Sequence, residues 1–243
     1  MHVWRTSTRV SLGIVSKLIV LLGNEERAKA ARFRRDADRD RYVASHAMLR
    51  LVLSRYVGAS AEKLEFEVGD RGKPRLAQGR DFPLSFNLSH SGDAALLAVS
   101  GTPEVGVDLE EIRDDVDVRA LSRSALSAAE LRVLHSAPIE RQRLLFFRSW
   151  VRKEAVLKGC GVGLSAKLEQ VVVLGSEASK DEEFTLVQPS ASQTDWGVRD
   201  IEIGDRYAGA AAAPGRDWTL HYFEHRWCGI TESPDAPEPD RDS

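Results

Sequence analysis

In Phe146-Phe147-Arg148-Ser149-Trp150-Val151-Arg152-Lys153-Glu154-Ala155-Val156-Leu157-Lys158, helical periodicity puts Phe147, Trp150 and Val151 on one face. Steps of seven and eleven residues beyond Phe147 return to that face and land on Glu154 and Lys158. A carboxylate and an ammonium thus stand where the period asks for core, and burying them is costly unless they are paired or hold a ligand. As an i,i+4 pair in the favourable orientation they also suit a purely structural salt bridge, and spacing alone leaves both readings open. Lys153 lies further round the helix, at the edge of the stripe, within reach of a phosphate or of solvent.

A second stretch, Gly106-Val107-Asp108-Leu109-Glu110, reads as a strand. Alternate side chains of a strand share a face, so Val107 and Leu109 point one way and Gly106, Asp108 and Glu110 the other. Asp108 and Glu110 are then roughly 7 Å apart along the strand. They can converge on one hard cation, with Gly106 leaving room beside it. With Glu154 they form a set of three oxygen donors suited to Mg²⁺ that keeps waters and takes a phosphate. A solvated strand face is the ordinary alternative for an Asp-x-Glu taken alone; the core-facing Glu154 weighs against it.

Length and composition set the frame. The 243 residues are enough to bury a core as one large or two small domains, and 34 Lys+Arg against 37 Asp+Glu gives no global charge for nucleic acid. The two cysteines, Cys160 and Cys228, make neither a disulfide framework nor a zinc cluster, which fits a reduced, cytoplasmic setting. The apolar run 12–22 is interrupted by Ser16 and Lys17, lacks a cleavage pattern and is too short to span a bilayer, so no membrane partner is expected.

Periodicity and punctuation predict an α+β chain. A strand starts at residues 2–5 and a helical pattern follows to residue 22. A basic helix over 27–35 breaks near Asp36, and a clearer helix runs over 39–56 to a stop at Gly58. A strand at 65–68 precedes a turn at 69–72. Paired strands at 85–88 and 94–100 flank a polar turn, Ser89-His90-Ser91-Gly92-Asp93. Then come a strand over 105–112, helices over 121–134 and 142–158, and later strands over 170–174, 184–188 and 218–223. Glycines 159, 161 and 163 end the last helix, and the Pro-, Asp- and Glu-rich tail 231–243 is expected to be disordered.

Other candidates are weaker on spacing. A turn histidine such as His90 can donate to a phosphate or serve as a structural hydrogen bonder. Lys73, before Pro74, has no spacing argument. Arg50 sits near Leu49 and Leu53 as a snorkelling residue, and Lys29 and Arg32 lie on a basic face open to an anionic ligand or to solvent. The chain carries no phosphate-binding Gly-x-x-x-x-Gly-Lys loop, no dinucleotide fingerprint and no Gly-x-Ser-x-Gly turn.

Four ordered segments resemble the 4′-phosphopantetheinyl transferases, in the larger type that activates surfactin synthetase and related megasynthases. They are Gly72-Lys73-Pro74; Phe86-Asn87-Leu88-Ser89-His90-Ser91; Val105 to Glu110; and Trp150-x-x-Lys153-Glu154-Ala155-x-x-Lys158, with Gly161-x-Gly163-Leu164 behind. The opening is also similar, through Val3-Trp4, Glu26-Arg27, Phe33, Arg41 and Leu49-Arg50. Val151 departs from the Ser or Thr frequent in the family after the tryptophan.

The resemblance, over residues 3–228, implies transfer of the phosphopantetheine arm from coenzyme A to a serine of an apo acyl or peptidyl carrier protein, releasing adenosine 3′,5′-bisphosphate. It implies two similar pseudo-symmetric halves, 1–101 and 102–230, each a small antiparallel sheet with helices, meeting near Gly101-Thr102-Pro103 with the site in the cleft between them. Asp108, Glu110 and Glu154 are implied as Mg²⁺ ligands, and Glu154 also as a candidate base. Lys158 is implied to hold a phosphate oxygen, and Lys73, Ser89, His90, Arg50 and Lys153 to contact coenzyme A. A monomer is expected. A non-catalytic carrier- or coenzyme A-binding homologue, or another Mg²⁺-dependent pyrophosphate-cleaving enzyme, is the alternative.

Overall fold

The computed structural model describes residues 1–69, 73–77, 84–101, 104–161, 168–173, 185–187 and 194–227. The chain opens with β1 (His2–Ser7), α1 (Leu12–Leu18), α2 (Asn24–Ala30) and α3 (Asp36–Val57), followed by β2 (Phe66–Val68), β3 (Pro74–Leu76), β4 (Ser85–Ser91) and β5 (Ala94–Ser100). It continues with β6 (Gly106–Glu111), α4 (Val118–Ala125), α5 (Ala128–Ser136) and α6 (Ile139–Cys160), then β7 (Thr185–Val187), β8 (Trp196–Asp200), β9 (Tyr207–Pro214) and β10 (His221–Glu224). A strand, two short helices, a 22-residue helix and antiparallel strands thus occur twice in order. Both long helices end on a left-handed glycine, Gly58 at φ 65° and Gly161 at φ 68°.

One sheet has the order β10-β1-β5-β4, with β1 and β10 parallel and the other pairs antiparallel. The second, β6-β9-β8-β7, is antiparallel throughout, and β2 and β3 form a small ribbon. The side chains face alternate layers with the period of two. Leu97 and Val99 of β5 pack with Trp4, Phe86 and the α3 residues Met48, Val52 and Leu53. Leu96 and Ala98 face the other way and meet Val107, Leu109 and Ala211 of the second sheet. The second sheet's far side, with Ala210, Ala212 and Val198, packs on Val151, Ala155 and Val156 of α6. The layers therefore run α3, sheet, sheet, α6.

Several sequence expectations are corrected here. The helix expected over 121–134 is two helices, because Ser127 starts a new one: its hydroxyl accepts from Glu130 N at 3.3 Å and Glu130 Oε2 accepts from Ser127 N at 2.9 Å. The helix expected from residue 39 begins at Asp36, and the basic helix ends at Ala30. The polar turn is shorter than expected, since β4 runs on through Ser89, His90 and Ser91 and the chain reverses at Gly92, φ 53°. In place of a strand from residue 170, a 3-10 turn spans Leu168–Gln170. β8 and β9 were not expected at all. Expectations for residues 70–72, 102–103, 162–167, 174, 184, 188 and the tail lie outside the described residues. Among the described residues no helix is long and apolar enough to cross a membrane.

Candidate active site

Gly106 is small for a different reason than the sequence suggested. A Cβ there would run into the carbonyl oxygen of Ala155 and the amide nitrogen of Gly159, so β6 lies backbone-to-backbone against the last turns of α6. Gly159 in turn gives way to the ring of the buried Trp196. This contact carries Asp108 under Lys158. The Lys158 ammonium donates to Asp108 Oδ1 at 2.6 Å and to Ser89 Oγ at 3.1 Å. Of the two readings left open, the i,i+4 pair with Glu154 is not made; Lys158 directs its hydrogen bonds across the layer instead.

Asp108 is 3% exposed. Its Oδ1 also accepts from Ser89 Oγ at 2.9 Å, while Oδ2 is buried with no hydrogen-bond partner among the described residues. Glu110 accepts from Ser91 Oγ at 2.8 Å. Burial, only partly offset by Lys158 and Ser89, holds the Asp108 carboxyl above its ordinary value. Glu110 is raised by burial and then by the Asp108 charge, against the pull of Ser91 and Lys158. Glu154 is raised by burial and then by Asp108 and Glu110, with Lys158 opposing. Three carboxylates thus repel one another around one ammonium. Among the described residues no group of three or more acidic, His or Cys side chains is already placed to hold a metal ion. The bare Oδ2 and the mutual repulsion nevertheless fit a hard cation, which would supply the missing partner and the missing charge.

β4 joins the carboxylates to the first sheet. Its odd-numbered side chains reach β6: Asn87 Oδ1 accepts from Val107 N at 2.8 Å, Ser89 meets Asp108, and Ser91 meets Glu110 while accepting from Glu111 N at 3.0 Å. Asn87 and Ser91 were not singled out in the sequence, although the polar alternation Asn87-x-Ser89-x-Ser91 was a visible signal. His90 has the opposite parity and is exposed. The protein mass around its ring, and then the charges of His46, Lys158, Lys29 and Arg41, hold its pKa below the ordinary histidine value. Those neighbours make a positive patch beside the acidic set. Within it Arg41 pairs with Asp93 at 3.0 Å and His46 with Glu26 at 2.8 Å.

Lys73 donates to the carbonyls of Val105 and, at 3.5 Å, of Gly159, which pins the β6 entry to the end of α6; burial lowers its pKa to about 8. Arg50 and Lys153, both expected to contact coenzyme A, have internal partners in the structure. Arg50 is 3% exposed and committed internally: it pairs with Glu26 at 2.6 Å, donates to the carbonyls of Ala61 and Leu64, and lies over the Phe66 ring. Lys153 is fully buried, with its ammonium 2.6 Å from Glu130 Oε2 and 3.0 Å from the Leu168 carbonyl. The Nε and Nη1 donors of Arg50 and two of the three Lys153 protons are thus held inside the protein.

The chain matches two family models, "4'-phosphopantetheinyl transferase, N-terminal" over residues 4–102 and "4'-phosphopantetheinyl transferase superfamily" over residues 104–212. It is 32% identical over 227 residues to 4'-phosphopantetheinyl transferase HetI of Nostoc sp., covering 92% of each chain. It is 36% identical over 175 residues to 4'-phosphopantetheinyl transferase psf-1 of Bacillus pumilus, covering 72% of each. A 4'-phosphopantetheinyl transferase of Bacillus subtilis is 25% identical over 86% of this chain and 89% of its own. With Asp108, Glu110, Glu154 and Lys158 gathered where β6 meets α6, the chain belongs to the 4′-phosphopantetheinyl transferase family.

Proposed function

We propose that this protein transfers the 4′-phosphopantetheine arm of coenzyme A to a serine of an apo acyl or peptidyl carrier protein, with adenosine 3′,5′-bisphosphate as the leaving group. The observation that carries the reading is Asp108: buried, bonded through one oxygen to Lys158 and Ser89, and bare at the other beside Glu110 and Glu154. Asp108, Glu110 and Glu154 would hold Mg²⁺, which supplies charge neutralisation and polarisation at a pyrophosphate. In the reaction the serine oxygen attacks the β-phosphorus of coenzyme A, and the bond from that phosphorus to the bridging oxygen breaks.

Lys158 sets one positive charge against the phosphate oxygens, where charge develops. Glu154, raised above the ordinary carboxylate range and free of hydrogen bonds among the described residues, takes the serine proton directly or through a water. His90 with Lys29, Arg41 and His46 forms an electrostatic landing face for the remaining phosphates of coenzyme A. The repeated order of elements supports two pseudo-symmetric halves, 1–101 and 102–230, except that β10 crosses back to make the first sheet mixed, with the site on the seam that Asn87, Ser89 and Ser91 make with β6.

The test is incubation with coenzyme A, Mg²⁺ and a panel of apo acyl and peptidyl carrier domains. The expected result is release of adenosine 3′,5′-bisphosphate in step with carrier consumption. No release with any carrier of the panel would remove the reading.

A further inference from the structure

Glu154 can act only if α6 presents it at a fixed angle, and the side chains next to it are unusually well tied. With Lys153 taken as zero on the helix circumference, Glu154 lies about 100° round, Lys158 about 140°, and Arg152 about 100° the other way. Each of the other three is anchored to a different element. Lys158 goes to Asp108 on β6. Arg152 makes a two-pronged contact with Asp200 at the end of β8, Nε to Oδ1 at 2.6 Å and Nη2 to Oδ2 at 2.7 Å. Lys153 goes to Glu130 on α5, with both side chains 0% exposed.

Glu130 does more than pair. Its Oε1 accepts from Val173 N at 2.8 Å and its Oε2 from Ser127 N at 2.9 Å, while Lys153 also holds the Leu168 carbonyl. The pair therefore ties α6 both to the start of α5 and to the chain that follows it, over residues 168–173. An ion pair removed from water is seldom more stabilising than well-packed apolar side chains of the same size. A buried pair whose polar atoms are satisfied by hydrogen bonds can rigidify the elements it joins.

We propose that Glu130 and Lys153, with Arg152–Asp200, form a rotational clamp on α6 that aims Glu154 at the reacting phosphate; they are positioning residues. The inference rests on the transferase reading above. Without the clamp α6 still packs through Val151, Ala155 and Val156, but its rotation at Glu154 is less sharply defined. A displacement of about 1 Å at a reacting group costs on the order of a hundredfold in rate.

The test uses the full chain carrying Glu130→Gln with Lys153→Met, a neutral pair of similar volume, and separately Lys153→Arg, which keeps the charge but changes the head. Thermal unfolding, coenzyme A binding by calorimetry without metal, and steady-state transfer are measured beside the wild type. In both variants the expected result is a kcat lower by roughly ten- to a hundredfold, with coenzyme A affinity and KM within about threefold and the midpoint of unfolding far above the assay temperature. A kcat within about threefold of wild type in both variants would overturn the clamp, as would failure of both to fold, which would make the pair a stability element. An inactive wild type would instead overturn the transferase reading itself.

Discussion

At Asp108 a single carboxylate is divided between two duties. Oδ1 is saturated by Lys158 and Ser89, and Oδ2 is bare. Asp108→Asn is expected to lower transfer by roughly a hundredfold or more. It removes a charge that Glu110 and Glu154 repel, so circular dichroism and the unfolding midpoint should stay near wild type; a large loss of stability with residual activity would contradict the assignment. Much of this was legible in the sequence. Glu154 and Lys158 broke an apolar stripe, and Asp108 and Glu110 shared a strand face. Which ammonium met which carboxylate was not legible, because a helical wheel knows only its own helix. Lys153 looked like a stripe-edge lysine until Glu130, 23 residues earlier on α5, closed over it. The internal pairing of Arg50 was hidden for the same reason, its partner Glu26 being 24 residues away on α2.

Among elements, the approach of β6 to α6 governs the site. Gly106→Ala forces a Cβ into backbone of the facing helix, which has no side chain to swing aside. It is expected to destabilise by about 3 kcal/mol and to lose transfer along with it; denaturant unfolding checks this, and unchanged stability would show that the two backbones have room to part. β10 gives a second test, through the residue that follows it. The His225 amide donates to the Arg5 carbonyl at 2.7 Å, while its ring is buried with Nε2 unpartnered among the described residues. Burial, then the Arg55 charge, lowers its pKa from 6.5 to about 4. Between those values the unfolded chain binds more protons than the folded one, so stability is full above about pH 6.5 and falls as pH drops toward 4. The loss attributable to this group reaches about 3 kcal/mol. His225→Phe should flatten that limb in denaturant titrations between pH 7 and 5; an identical acid limb would count against it. The strands around these sites were legible only in part. β9 contains Ala-Gly-Ala-Ala-Ala-Ala, whose alanines carry the strongest helix propensity and no strand alternation. It is a strand because tertiary packing needs small side chains on both its faces, Ala210 and Ala212 against α6 and Ala211 against the first sheet.

For the whole molecule, the two sheets share one apolar layer: Val3, Leu96 and Ala98 from the first, Val107, Leu109 and Ala211 from the second. Neither half can open without exposing that layer. Far-ultraviolet dichroism and tryptophan emission, from Trp4 and Trp227 in the core of the first sheet, Trp218 in the shared layer, and Trp150 and Trp196 beside the second, should therefore follow one coincident denaturation curve. Two separated transitions would mean that the halves are independent domains. The sequence conveyed the α+β class and the order of the site motifs. It did not convey that the chain returns after the second sheet to place β10 beside β1, since a parallel pairing 219 positions apart leaves no local signal. The account as a whole depends on the acidic set at the β6–α6 contact carrying out transfer. Its most direct test is the intact mass of an apo carrier domain after reaction with coenzyme A and Mg²⁺, with wild type and Glu154→Gln side by side. The wild type should convert the carrier fully to the phosphopantetheinylated mass while the variant leaves it apo over the same time. Full conversion by Glu154→Gln, or an unmodified carrier with the wild type, would contradict the account.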